Sequence, residues 1–417
     1  MSREKFGLIK KLRAQKPVKT IKSLFVNLIL TISLFIPLLV FIGVRNMEMD
    51  VDTMEKDPWL VFASDPSFTS NTSTNISILW ETDVDSTSRV EYGTDRANLN
   101  NSSTNVVIST LHHVNLTGLS PNTKYYYRVG ANSTSMKEEI YEFMTAPTDP
   151  SESFYFLAIS DTQEVEEIGI NHHDRVARAI QEHNGQARFI INAGDIGDNG
   201  SSQESWNYFF KHAAKYSPNI PFAFTLGNHD NKAGQPMYRK YFAFNSPYPG
   251  SLYYSFNYSN VHVVSIEVPY GRDYEKWAEP GSPMMTWLKE DLNKSQNKDF
   301  RIVVFHCPIY SSGFFGYHRE LKSALHDAVF VPYNISLVIT GHSHHYERCI
   351  VDDIRYIVCG GGGGVMDPCH NTLPWTQAVA AFPHYVKFTY DQLIGLEIGS
   401  YTPDGVLFDS DILGGGT

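Results

Sequence analysis

Between Trp59 and Thr145, apolar and polar positions alternate over short stretches at 76–80, 89–93 and 125–130, with turn residues between them. A period of two predicts half-buried strands, and several of them within roughly a hundred residues predict a small all-β sandwich. Residues 146–150 (Ala-Pro-Thr-Asp-Pro) interrupt this pattern as a linker, because two prolines disfavour regular structure. Beyond it the texture changes. Continuous apolar runs at 154–159, 189–191, 222–224, 302–305 and 337–339 each stop at a polar cluster, and helical stretches such as 174–184 and 284–293 fall between them. Runs without alternation predict strands buried on both faces, and their interleaving with helices predicts an α/β unit whose site lies at the carboxyl ends of the strands. A further apolar run, 23–44, carries no charge at all and has the length of a bilayer-spanning helix.

The residues that follow the apolar runs are Asp161, Asp195, Asn228, His306, His342 and His344. Hard carboxylate oxygens combined with imidazoles suit Mn, Fe, Zn or Co better than Ca or Mg. Six ligands are too many for one ion that keeps an open position, and about right for two. Taken singly, each element is ordinary: a Gly-Asp pair is a common turn, and a lone histidine at a strand end is most often structural. The Gly227-Asn228-His229-Asp230 tetrad carries more, because polar groups straight after a buried strand are costly unless they find partners. Gly341-His342-Ser343-His344 carries most, since two histidines at i and i+2 on an extended segment can reach neighbouring ions.

Asp161, Gly194-Asp195, the Asn228 tetrad, the Val-Val-Phe-His strand ending at His306 and the Gly-His-Ser-His segment resemble the ordered motifs of calcineurin-like metallophosphoesterases. Pro308-Ile309-Tyr310 and Tyr346-Glu347-Arg348 resemble the purple acid phosphatase branch, and the Tyr125-Tyr126-Tyr127 strand after Pro121 resembles its fibronectin type III-like N-terminal domain. The resemblance covers about residues 59–410. It implies a calcineurin-like βαβ sandwich of two sheets flanked by helices, with an all-β fibronectin type III-like sandwich in front. It further implies one metal held by Asp161, Asp195 and His344 and a second held by Asp195, Asn228, His306 and His342, the ions being Fe, Mn or Zn. A metal-bound hydroxide would then attack a phosphate monoester, with His229 as proton donor. Gln163 stands where many relatives have a histidine ligand, which leaves it as a weak ligand or a supporting residue, and His318 falls where relatives contact substrate. One departure is specific: three residues after Asp195 stands Asp198, where purple acid phosphatases have the tyrosine that colours them. The alternatives are a phosphodiesterase or nucleotidase on the same core, or a catalytically silent cell-surface binding protein.

Charge then orients the molecule. Residues 1–22 hold Arg3, Lys5, Lys10, Lys11, Arg13, Lys16, Lys19 and Lys22 against Glu4 alone, so the net charge of −11 conceals a still more acidic body. That balance argues against nucleic acid as a partner. Basic residues before the 23–44 span and acidic ones after it predict a single-pass anchor with a cytoplasmic N-terminus and an outward-facing body. The resulting organisation is a basic tail (1–22), a transmembrane helix (23–44), a linker (45–57), the β-sandwich (58–146) and the metallophosphoesterase unit (151–417). Asn-x-Ser/Thr sequons recur from Asn71 to Asn334, as an exterior glycoprotein would show. Cys307, after an apolar strand, reads as a buried thiol, while Cys349, Cys359 and Cys369 are close enough in sequence for one local disulfide. His172, His173, His183, His212 and His326 lie outside the strand-end pattern and read as surface residues, and His112 and His113 as hydrogen-bonding residues at a strand end.

Overall fold

The computed structural model describes residues 54–62, 70–132, 135–163, 172–242, 251–314, 316–369 and 372–414. The 23–44 span and the basic tail lie outside the described residues, and among the described residues no helix is long and apolar enough to cross a membrane. Residues 52–417 form one compact unit.

The N-terminal part is built from β1 (Met54–Val61), β2 (Ser70–Asn71), β3 (Ile76–Gly93), β4 (Asn101–Leu116), β5 (Lys124–Gly130) and β6 (Tyr141–Met144). The stretches expected as separate strands at 76–80 and 89–93 are one long strand. The polar segment between them stays extended because β4 pairs along both halves, with register shifts between Glu81 and Ser88. β1 pairs with the first half of β3 and β5 with the second. Ile76, Ile78 and Trp80 from one half and Val90 from the other share a core with Tyr127 and Phe143, so the two layers come from strands that continue through both.

The α/β unit adds β7 (Phe154–Ile159), β8 (Ile190–Asn192), β9 (Phe222–Phe224), β10 (Tyr254–Tyr258), β11 (Val261–Ser265), β12 (Phe300–Val304) and β13 (Leu337–Thr340). It closes with β14 (Tyr346–Val351), β15 (Ile354–Cys359), β16 (Thr376–Ala380), β17 (Tyr385–Asp391), β18 (Gly395–Tyr401) and β19 (Leu407–Leu413). The strands make two sheets, one in the order β19-β18-β17-β7-β8-β9-β1-β3-β5-β6 with β4 on β3, the other β16-β14-β15-β13-β12-β11-β10-β2. Residues Phe156, Ile191 and Ala223 of the first sheet pack against Val263, Ile302 and Ile339 of the second. The outer faces are covered as well. Helices His172–His183 and Gln203–Ala213 place Val176, Ile180, Trp206 and Phe209 on the first sheet. Helix Pro283–Lys294, started by the Ser282 side chain accepting from Met285 N, places Trp287 and Leu288 on the second. Burial on both faces is why these strands read as unbroken apolar runs.

Several expectations need correction. His173, His212 and His326 are buried, not surface residues: His173 stacks on Phe209 and hydrogen-bonds Tyr216 Oη (3.0 Å), and His326 bonds Tyr356 Oη (2.6 Å). His112 lies within β4 opposite Trp80, bonded to Thr82 (2.7 Å) and Ser88 (2.9 Å). All four cysteines are free thiols, with Cys307 buried as expected.

Candidate metal centre

Asp161 follows β7, Asp195 follows β8 and Asn228 follows β9, three adjacent parallel strands of the first sheet. His306 follows β12, and His342 and His344 follow β13, adjacent parallel strands of the second. The two sheet edges are tied together at this point. Asp161 N donates to Gly194 O (2.9 Å), Gly341 N donates to His306 O (2.9 Å), and His342 N donates to the Asp161 carboxylate (2.9 Å). Asp161, Asp195 and His342 have φ of 57°, 52° and 67°, the left-handed region that costs a residue with a Cβ of order 1–3 kcal/mol. Close approach sets the glycines beside them. A Cβ on Gly227 would stand 2.1 Å from Asp195 N, and one on Gly341 would stand 2.4 Å from Asp161 Oδ2.

The candidate donors converge. One ligand atom each from Asp195, His306 and His342 lie within 4.8 Å of one another. His306 Nε2 is 3.2 Å from Asp195 Oδ2 and 3.1 Å from Asn228 Oδ1, and His344 Nε2 is 3.4 Å from Asp161 Oδ1. The other nitrogen of each ring is committed elsewhere, His306 Nδ1 to Ala193 O (2.8 Å) and His344 Nδ1 to Val365 O (2.7 Å), which aims Nε2 at the carboxylates. Gln163 is buried among the same groups. Its Nε2 is 3.2 Å from His344 Nε2, and its Oε1 has no hydrogen-bond partner among the described residues.

The electrostatics describe a site that draws in positive charge. Burial disfavours protonation of His306 and His344, yet the Asp195 and Asp161 carboxylates overcome it and push both rings up to about 9. Burial and the neighbouring His306 charge pull His342 down to about 3. Protons held on two imidazoles by two buried carboxylates occupy the role that cations fill in an oxygen- and nitrogen-lined centre. The residues therefore fit a divalent or trivalent metal pair.

His229 stands at the rim. Its backbone N donates to Asp195 Oδ1 (2.8 Å), its Nδ1 meets Asp198 O (2.7 Å) and Asp198 Oδ1 (3.1 Å), and its Nε2 is 4.0 Å from Asp195 Oδ2. Burial lowers its pKa, but the Asp198 hydrogen bond and the Asp195 charge make the net shift upward. Asp198, where the resemblance leads one to expect a tyrosine, is thus a partner of His229. His318 lies beside Gly271, with no hydrogen bond or ion pair to the six candidate ligands among the contacts described.

Other supporting residues were not legible in the sequence. Asp230 is fully buried and its carboxylate accepts from Ile196 N (3.0 Å) and Gly227 N (3.0 Å), locking the Asp195 loop to the Asn228 loop. Tyr346, Glu347 and Arg348, which carry part of the resemblance, are buried in β14. Glu347 accepts from Ser312 Oγ and Thr376 Oγ1 (2.6 Å each), and Arg348 pairs with Asp409 (2.7 Å) on β19. The 360–364 glycine run is packed tightly, with Gly362 N on Ser160 O and Gly364 N on Asp161 O (2.9 Å each).

Comparison with known proteins agrees with this architecture. Residues 154–346 match the calcineurin-like phosphoesterase family, and residues 65–145 match the purple acid phosphatase N-terminal domain. Purple acid phosphatase 15 of Arabidopsis thaliana is 30% identical over 307 residues, 62% of this chain and 54% of that protein. The purple acid phosphatase of Glycine max is 26% identical over 276 residues, 60% of this chain and 55% of that protein. The chain thus spans about half the length of the curated relatives it matches. The fold is shared with a solved purple acid phosphatase from yellow lupin (Lupinus luteus) seeds, at a TM-score of 0.71 and 16% identity, over 87% of this chain and 75% of that one. With both domains matched in order, the chain carries a region similar to the purple acid phosphatase N-terminal domain followed by one similar to the calcineurin-like phosphoesterases.

Proposed function

We propose that this protein is a phosphate monoester hydrolase with a dinuclear metal centre, anchored to a membrane by residues 23–44 with its folded body on the outer side. The observation that carries the reading is the convergence of two buried carboxylates, a carboxamide and three imidazoles from five strand ends onto one point. Asp161, Asp195 and His344 would hold one ion and Asp195, Asn228, His306 and His342 the other, with Asp195 shared and Gln163 an auxiliary donor. Two ions bound there supply Lewis acidity toward a phosphoryl oxygen and an activated water. The chain's own residues do the rest. His229 directs Nε2 toward the centre and, its proton affinity raised by Asp198 and Asp195, delivers a proton to the departing alkoxide. Asp161 and His306 are fully buried, while His229 and His344 stay partly open to solvent.

The test is metal analysis of the purified ectodomain together with a panel of phosphate esters. About two metals per chain are expected from a two-metal site, with monoesters turned over faster than diesters. With Asp198 in place of tyrosine, no tyrosinate-to-iron band is expected in the visible spectrum. Diesters as the better substrates would favour the phosphodiesterase alternative, and a metal-free, inactive protein would return the binding-protein reading.

A further inference from the structure

Two loops bound the side of the centre on which His229 stands. One follows β9 and carries Asn228, His229 and Lys232; the other, residues 266–272, follows β11. The ends of β9 and β11 are tied across the two sheets. Ser265 Oγ donates to Phe224 O (3.1 Å), and Thr225 Oγ1 donates to Ile266 O (3.1 Å). From the second loop the Tyr270 ring meets the His342 imidazole at 69°, with centroids 5.9 Å apart. Tyr270 therefore reaches the candidate centre from the His229 side.

The uncommitted charges on this side are positive. Lys232 Nζ lies 3.3 Å from His229 Nδ1 and donates to Asp198 O (2.9 Å), with no carboxylate in ion-pair contact among the described residues. The turn after it runs through the left-handed region at Ala233, Gly234 and Gln235 (φ 53°, 83° and 59°) and is closed by Gln235 N on Lys232 O (3.2 Å), so Lys232 starts from a fixed backbone. Arg272, two residues beyond Tyr270, is exposed and has no ion pair among the described residues. The carboxylates of the same loops are engaged: Asp198 with His229 Nδ1 (3.1 Å), Asp273 with Lys276 (3.2 Å) and Glu267 with Leu252 N. The other open side has the opposite sign. Beside His344, Asp367 accepts from His344 N (3.0 Å), and no lysine or arginine lines the cleft described there.

Resting on the hydrolase reading above, we propose that the space between these two loops receives the alcohol portion of the ester and selects an alcohol that carries a second anion, a carboxylate or a further phosphate, with Lys232 and Arg272 as the specificity-determining residues. His229 donates its proton on this side, so the departing oxygen and whatever it bears lie here. A second anion on that group meets two cations that no carboxylate has neutralised, whereas an uncharged alkyl group gains nothing from either. Tyr270 offers an aromatic wall to the carbon chain between the two anions.

Turnover would mix recognition with leaving-group chemistry, so the experiment is calorimetric binding of non-reacting phosphonates to the metal-loaded protein. 3-Phosphonopropionate is expected to bind about tenfold tighter than propylphosphonate at low salt, and the ratio should shrink as salt is raised. Lys232→Gln and Arg272→Gln should each lower the ratio about threefold, and the double substitution should bring it near one. Lys232→Arg, which keeps the charge, should keep the ratio. Asp367→Asn, on the His344 side, should change it by less than about twofold. Equal affinity for the two phosphonates in the wild-type protein, a ratio unmoved by the double substitution, or one that responds to Asp367→Asn instead overturns the proposal and leaves the hydrolase reading standing. A protein that shows the ratio and its loss but hydrolyses no ester supports the two-loop site and overturns the hydrolase reading instead.

Discussion

His229 and Asp195 are joined by one hydrogen bond, yet the reading gives them separable duties. Asp195 offers a carboxylate to both candidate ions, so Asp195→Asn removes a charge that two cations share, and metal content and activity should fall together. His229 coordinates neither ion on this reading. His229→Ala should keep its metals and lose kcat by about 10²–10⁴-fold, the usual range for a positioned general acid. The loss should be smaller for aryl phosphates, whose leaving groups need little protonation. Metal stoichiometry measured with kcat on aryl and alkyl esters decides it. Metal loss in His229→Ala equal to that in Asp195→Asn would remove the assignment, and full activity on alkyl esters would demand another acid. The six candidate ligands were legible because each closes a buried apolar run, where a polar residue is costly without a purpose. Asp230 was not, because its duty is to two backbone amides on another loop, and no sequence pattern marks that closure.

At the scale of elements, the doubly buried strands β7, β9 and β13 were readable almost to the residue, since nothing but apolar side chains fits between two sheets and their helices. β3 and β4 were not, because a ribbon paired along its length tolerates Asp83, Asp85 and Ser86 at positions that look like a turn. The ribbon also hides His112, stacked on Trp80 at 4.8 Å. Burial pulls this ring from 6.5 down to about 4, with Asp85 and Glu81 opposing only in part. The folded pKa is therefore below the unfolded one. The unfolded chain gains a proton that the folded chain refuses, so this contribution is complete above about pH 6.5 and is lost as pH falls toward 4. Its full size is about 3 kcal/mol. Urea midpoints of wild type and His112→Gln between pH 7 and 4 test it. The variant should be less stable at neutral pH and less sensitive to acid, and parallel pH profiles would count against a neutral buried His112.

For the molecule as a whole, the boundary expected between the two folded parts is bridged by structure. Val61 on β1 pairs with Phe222 on β9, so the first sheet runs from the sandwich into the α/β unit, and Tyr127 Oη donates to Pro218 O (2.6 Å) across the same junction. A body of this kind carries its site on loops at one edge, and where that edge faces depends on the N-terminal segment, whose placement is a matter of sequence physics. Eight basic residues before an uncharged apolar span, and Glu48, Asp50 and Asp52 after it, favour a cytoplasmic tail. The span exceeds the usual apolar core of a cleaved leader, and no small-x-small site follows Val44. The full chain should therefore stay with membranes through high-salt and carbonate washing, because a spanning helix is held by the hydrophobic effect and not by charge. Protease added to intact cells should remove epitopes in the folded body and spare a tag placed before Met1. A soluble protein beginning after residue 44 would identify the segment as a cleaved leader. A protected body with an exposed tag would reverse the orientation and put the candidate centre on the cytoplasmic side.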